Sequence, residues 1–259
     1  MKNILSIFMI LLAFNLASQP GNEGEKPQNK TDEKGRKQGL WMKRHPDNTV
    51  PQYKGRFKDD KPQGRFYFYY PSGKTKAVVD YENNGKLARS VMFHETGEIM
   101  GKGKYVNEKK DSVWTYYDRK GLISMKEPYK EGELHGEKIV YYTPNKRTGE
   151  DRIAEITNFK NGVAHGEWKQ YFTNGTVKAE GVFVDGNYDG TFTYYHPNGK
   201  KSSVKRYKNA VLHGWQRVFD ENGKKLDEKL YLYNKELKGK EKEEFLEKHK
   251  QQQLKKSGN

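Results

Sequence analysis

The sequence predicts an all-β protein, an elongated repeat array of antiparallel β-hairpins with a C-terminal capping α-helix. Three observations carry this. One pattern is written three times at an unbroken spacing of 24 residues, from Gly166, Gly190 and Gly214, and a fixed period of that length marks a supersecondary unit stacked on copies of itself. Nine residues after each unit start stands Gly73, Gly97, Gly121, Asn145, Gly175, Gly199 or Gly223. A glycine following an aromatic run, often behind Asn, Ser or Thr, supplies the positive φ of a tight hairpin turn. Finally, hydrophobic content is only 33%, against a usual ~45–50%, while 18 Tyr, 12 Phe and 4 Trp supply buriable area suited to a thin body.

Residues 1–18 read as a signal peptide, with Lys2 before an apolar run from Ile4 to Phe14 and small residues at Ala17 and Ser18. The run is short of the ~20 residues of a spanning helix, so a secreted or periplasmic product is expected. Residues 19–38, rich in Gly, Pro, Asn, Lys and Glu, read as a flexible polar leader.

Residues 39–238 hold about eight units. Carried backwards from Gly166, the spacing needs one insertion, placed at Asn145–Arg152, and then reaches Gly136, Ser112, Ala88 and Gly64, with a degenerate first copy near Gly39. One column, Tyr69, Phe93, Tyr117, Tyr141, Tyr171, Tyr195 and Phe219, is wholly aromatic. So is a second, Phe57, Tyr81, Tyr105, Tyr129, Phe159, Phe183 and Tyr207. Small residues at period two before the second column, such as Gly101 and Gly103 or Ala179 and Gly181, leave room for rings from neighbouring strands. A further set, Phe66, Trp114, Trp168 and Phe192, stands an odd number of positions from the first column and so points the other way. At ~4.8 Å per strand, eight units give a body of roughly 75 Å, which offers extended surface in place of a deep pocket. Residues 239–259 read as a charged helix and tail, and the helical pattern from Lys235 on has a thin apolar face of Leu237, Phe245, Leu246 and Leu254, expected to cover the edge of the last hairpin.

Tests for chemistry fail. Ser72-Gly73-Lys74-Thr75 copies the end of a phosphate-binding loop but sits on the common hairpin turn, and Gly101-Lys102-Gly103 begins a dinucleotide fingerprint without a strand-to-helix passage. His135, His165 and His213 recur just before the unit glycine, with Asp189 in the same row. At ~9.6 Å spacing they cannot share one zinc, whose nitrogen ligands lie at about 2.0–2.1 Å. No catalytic, metal or cofactor-binding residues are assigned. Zero cysteines excludes disulfides, thiol catalysis and a lipid-modified amino-terminal cysteine.

The unit Gly-x-Trp/Phe-x-x-Tyr…Asn-Gly-Lys…Tyr/Phe, with Phe183-Val-Asp-Gly-Asn-Tyr-Asp-Gly190 closing it, resembles the MORN repeat in its bacterial variant, over about Gly39 to Lys238. The resemblance implies a single twisted, groove-bearing sheet, and many bacterial relatives carry a YwqK-like antitoxin label. No shared catalytic residues come with it. Net charge of +15 favours anionic partners. The expected function is therefore an exported, non-enzymatic binding or scaffold module for a protein or an anionic envelope component; the rival is an antitoxin or immunity-type inhibitor. Nucleic acid is disfavoured for want of a recognition helix. The expected binding face joins Phe66, Trp114, Trp168 and Phe192 to Lys74, Lys102, Lys169, Lys178 and Lys200.

Overall fold

Every strand pairing among the described residues is antiparallel, and most of the described connections are short turns. In the computed structural model, which describes residues 26–46, 49–142 and 152–257, nineteen strands among the described residues form one open sheet. Lys37–Arg44 pairs with Pro51–Lys58, which pairs with Lys61–Tyr69, and the meander continues to Lys225–Leu232 and Lys235–Leu237. The signal-peptide segment, most of the expected insertion and Asn145 lie outside the described residues.

Two kinds of turn alternate, one along each side of the sheet. The glycine turns foreseen from sequence close three-residue loops; Tyr70 N–H donates to the Lys74 carbonyl and Gly73 N–H to the Tyr70 carbonyl, both at 2.9 Å. Opposite them are two-residue turns such as Asp59-Asp60, Asn107-Glu108, Asp185-Gly186 and Asn209-Ala210, with positive φ at both positions, the geometry that matches strand twist. Several lack glycine, which hid them from a search for glycine turns.

These second turns also join unit to unit. In most of them the second residue turns its N–H onto the preceding hairpin: Gly186 to the Ala164 carbonyl at 2.9 Å, Ala210 to Tyr188 at 2.8 Å, Asn234 to Leu212 at 2.9 Å. On the glycine-turn side, side chains do the same work. Tyr70 Oη–H donates to the Phe93 carbonyl at 2.8 Å and Tyr142 Oη–H to the Tyr171 carbonyl at 2.6 Å, while His45 and His196 Nε2 reach the Tyr69 and Phe219 carbonyls at 3.1 and 3.0 Å.

The unit-start glycine is a β-bulge. Arg56 pairs with Gln63 and Lys54 with Tyr67, so residues 64–66 stand opposite Gly55 alone, with Gly64 at φ +66°. The copy around Ala88 is built differently. There pairing runs without a bulge from Glu82↔Leu87 to Ala77↔Met92, and the residues that the bulge absorbs elsewhere lengthen the turn after Glu82. The 24-residue spacing thus survives a change of local structure.

Both ends differ from expectation. The leader of residues 19–38 is ordered in part, since Lys30–Thr31 pairs with Lys37 and Gln38. The Asp32 carboxylate fixes the intervening turn by accepting from the Lys34 and Arg36 N–H groups, each at 3.0 Å, and from Arg36 Nε at 2.8 Å. The helix, Gly239–Ser257, brings Phe245 and Leu246 towards Trp215 and Leu230 on a face of the sheet, not its edge. The edge strands are only two and three residues long, which leaves little backbone to recruit another chain.

Candidate binding face

Alternation along each strand sorts the side chains onto two faces. On the ring face, three of the bulges let an aromatic side chain lie over a glycine of the preceding strand. Phe66 covers Gly55, Trp114 covers Gly103 and Phe192 covers Gly181; a Cβ on these glycines would fall 2.3, 2.2 and 2.4 Å from the ring atoms. Rings of the second column close around them edge-on: Phe57 and Tyr81 at 5.1 and 5.0 Å from Phe66, Tyr105 at 4.8 Å from Trp114, Tyr207 at 5.4 Å from Phe192.

These contacts correct the expected site. Phe66, Trp114 and Phe192 are buried, the last two at 0% exposure, and form the core of a one-layer protein instead of a contact surface. Trp168 is half-buried beside Phe183 and Phe192. Lys102 and Lys169 point from the opposite face, because neighbours along a strand alternate; Lys102 Nζ lies 5.5 Å from the Tyr117 ring and Lys169 pairs with Glu167 at 3.3 Å. Lys74 and Lys200 belong to the glycine turns, where Lys200 Nζ donates to the Asn222 carbonyl at 3.2 Å. Lys178 lines a small hollow with Tyr171 and Gln170. The nine residues therefore share no single surface.

Where the ring is missing, its glycine partner is missing too. The equivalent pairs are Val79 with Ser90, Glu127 with Lys138 and Lys205 with Gln216. Glu127 and Lys138 meet at 3.1 Å, and Tyr129 Oη–H donates to Glu127 at 2.8 Å. Burial pushes the Glu127 carboxyl up, but the Tyr129 hydroxyl and Lys138 ammonium outweigh it and hold the group below the usual carboxylate range. Burial and Glu127 together push Tyr129 up to about 12. Lys110 Nζ, 2.6 Å from Tyr116 Oη, lies 4.7 Å from the Trp114 and Tyr129 rings and joins this polar knot to the ladder.

A carboxyl whose proton affinity is lowered by folding stabilises above its unfolded pKa and loses that contribution as pH falls through the folded one. Acidification below 4.5 should therefore weaken the middle of the sheet. Glu127→Gln is expected to lower neutral-pH stability by about 1–2 kcal/mol and to flatten the acid limb of a denaturant-midpoint-against-pH curve. An unchanged acid limb would assign the acid sensitivity elsewhere.

The Val79–Ser90 pair leaves an open space. A groove of about 600 Å³ runs over Ser90, walled by Tyr53, Phe68, Tyr81, Met92, Met100 and Tyr105. Serine in place of a ring two residues after Ala88 was the sequence signal for it, and the site residues inferred from lysines and rings missed it.

The histidine row is explained by the second turns. His135 Nδ1 lies 3.3 Å from Asn161 Oδ1, His165 Nδ1 3.2 Å from Asp185 Oδ1, and the His213 ring 4.7 Å from that of Tyr233. Asp189 in the same row accepts from Asn209 N–H at 3.3 Å. Each member touches the turn of the next hairpin. Among the described residues, no cluster of three or more His, Asp or Glu is arranged to hold a metal ion.

Fold and face define a class: an open array of stacked hairpins whose lateral surface is the natural place for binding. A family model described as the MORN repeat variant matches at residues 62–83, 164–185 and 188–209, so these three segments are similar to MORN repeat variant units. The three matched units start on Gly64, Gly166 and Gly190 and carry Phe66, Trp168 and Phe192, while Ser90, Lys138 and Gln216 replace the ring in unmatched units. No curated protein matches the chain. Among the described residues, no helix is long and apolar enough to cross a membrane.

Proposed function

We propose that this is an exported, non-enzymatic binding module that takes an extended segment of a protein partner along its ring face, with an apolar side chain of that segment seated over Ser90. The groove supports this reading above all. Elsewhere on the face the array supplies its own ring to cover the preceding strand, or a polar pair in its place; over Ser90 it supplies neither, and Tyr53, Tyr81 and Tyr105 remain available to a guest. The excess of lysine and arginine suits an acidic partner or an anionic envelope component, whose attraction falls with added salt.

Filling the groove tests the reading. Ser90→Trp combined with Val79→Gly, which gives the new ring the glycine partner used elsewhere in the ladder, is expected to weaken capture of the partner from a cell-envelope fraction by about tenfold or more while leaving the fold intact by circular dichroism. Undiminished capture by the variant would move the binding surface away from this groove.

A further inference from the structure

A cleft of about 510 Å³ separates the C-terminal helix from the sheet face opposite the ring ladder, and the charged side chains lining it share one sign. Arg206 and His213 enter it from the strands Lys201–Lys208 and Val211–Phe219, His249 and Lys250 from the helix. Among the described residues no carboxylate lines it, and Trp215 and Phe245 form apolar walls. Arg206 is placed by the bulge at Gly214, across which its aliphatic stem lies; a Cβ there would come within 2.8 Å of Arg206 Cδ.

His213 registers the imbalance. Its Nδ1 is buried without a hydrogen-bond partner, and its ring leans edge-on against Tyr233. Burial, then Lys208, Arg206 and His249, lower its proton affinity below the ordinary value of 6.5. Cations gathered around an unsatisfied nitrogen repel one another, and an anion placed among them converts that repulsion into attraction. The helix itself is held beside the cleft by Lys242 Nζ, 4.9 Å from the Trp215 ring, and by Glu241 on Lys235 at 2.6 Å.

We propose that this cleft binds an oxyanion carrying an apolar group, in chemical class an aryl or alkyl phosphate, with Arg206, His213 and Lys250 on the anion and Trp215 and Phe245 against the apolar part. Guanidinium is suited to the anion, since its planar donors match two phosphate oxygens at once. The bound anion favours the charged form of His213, so its titration midpoint rises on binding. Without the anion the sign is reversed: a histidine whose proton affinity is lowered by folding withdraws stability as pH falls below 6.5.

Phenyl phosphate and inorganic phosphate are the probes, titrated into the full chain at constant ionic strength while the ring resonances of His213 and His249 are followed by NMR. Phenyl phosphate should give saturable shifts, bind about tenfold tighter than inorganic phosphate and raise the His213 midpoint. Arg206→Gln and Lys250→Gln should each weaken it by about tenfold. Lys250 is exposed on the helix, so its variant tests the site without risk to the fold. Absence of saturation, equal affinity for the two probes, or unchanged binding by both variants overturns the proposal.

Discussion

Replacing Trp114 with alanine is expected to lower the unfolding free energy by about 3–5 kcal/mol, read as a fall in the denaturant midpoint. Trp114 is wholly buried, covers Gly103, meets Tyr105 edge-on and donates from Nε1 to the Lys104 carbonyl at 3.0 Å. Its removal therefore deletes a ring, a hydrogen bond and the cover of a glycine at once, and a one-layer sheet has no second layer to collapse into the space. Because each hairpin touches only its neighbours, the loss should be local. Amide exchange should accelerate first in Ile99–Val106 and Lys109–Tyr117 and last in Val177–Val184 and Asn187–Tyr195. A loss below about 1 kcal/mol would mean that the ring does not join these hairpins.

The hairpin array was legible because period and turn chemistry agree at Gly175, Gly199 and Gly223, and because small residues such as Gly103 and Gly181 precede rings at strand spacing. The face was misread for a physical reason. Alternation says which side Phe66, Trp114 and Phe192 occupy, but not whether that side is wet, and here the cover comes laterally from Phe57, Tyr105 and Tyr207. Alternation applied to Trp168 and Lys169 would already have separated ring from ammonium. Pairing each ring with the glycine of the strand before it would have marked Ser90, opposite Val79, as a break in the ladder, and as the one not filled by long polar side chains. The cleft under the helix was not legible, since nothing periodic fixes how Gly239–Ser257 folds back over Trp215.

The interlock itself can be tested by reversal. Gly181→Val is expected to destabilise by about 3 kcal/mol, at the upper end of overpacking costs, because even its Cβ would fall 2.4 Å from the Phe192 ring. Adding Phe192→Ser should recover much of that loss, since the chain itself uses valine opposite serine at Val79 and Ser90. In a double-mutant cycle the two changes should couple by about 1–3 kcal/mol, in the sense that the pair is better than the sum of its parts. Gly190 supplies the contrast. Its φ is +81° and nothing lies near its added Cβ, so Gly190→Ala should cost about 1–2 kcal/mol through the backbone alone. That strain owes nothing to the ring, and Phe192→Ser should leave it additive. Coupling at Gly181 with additivity at Gly190 assigns the interlock to side-chain shape, whereas additivity at both would mean that bulge geometry alone sets where the rings lie.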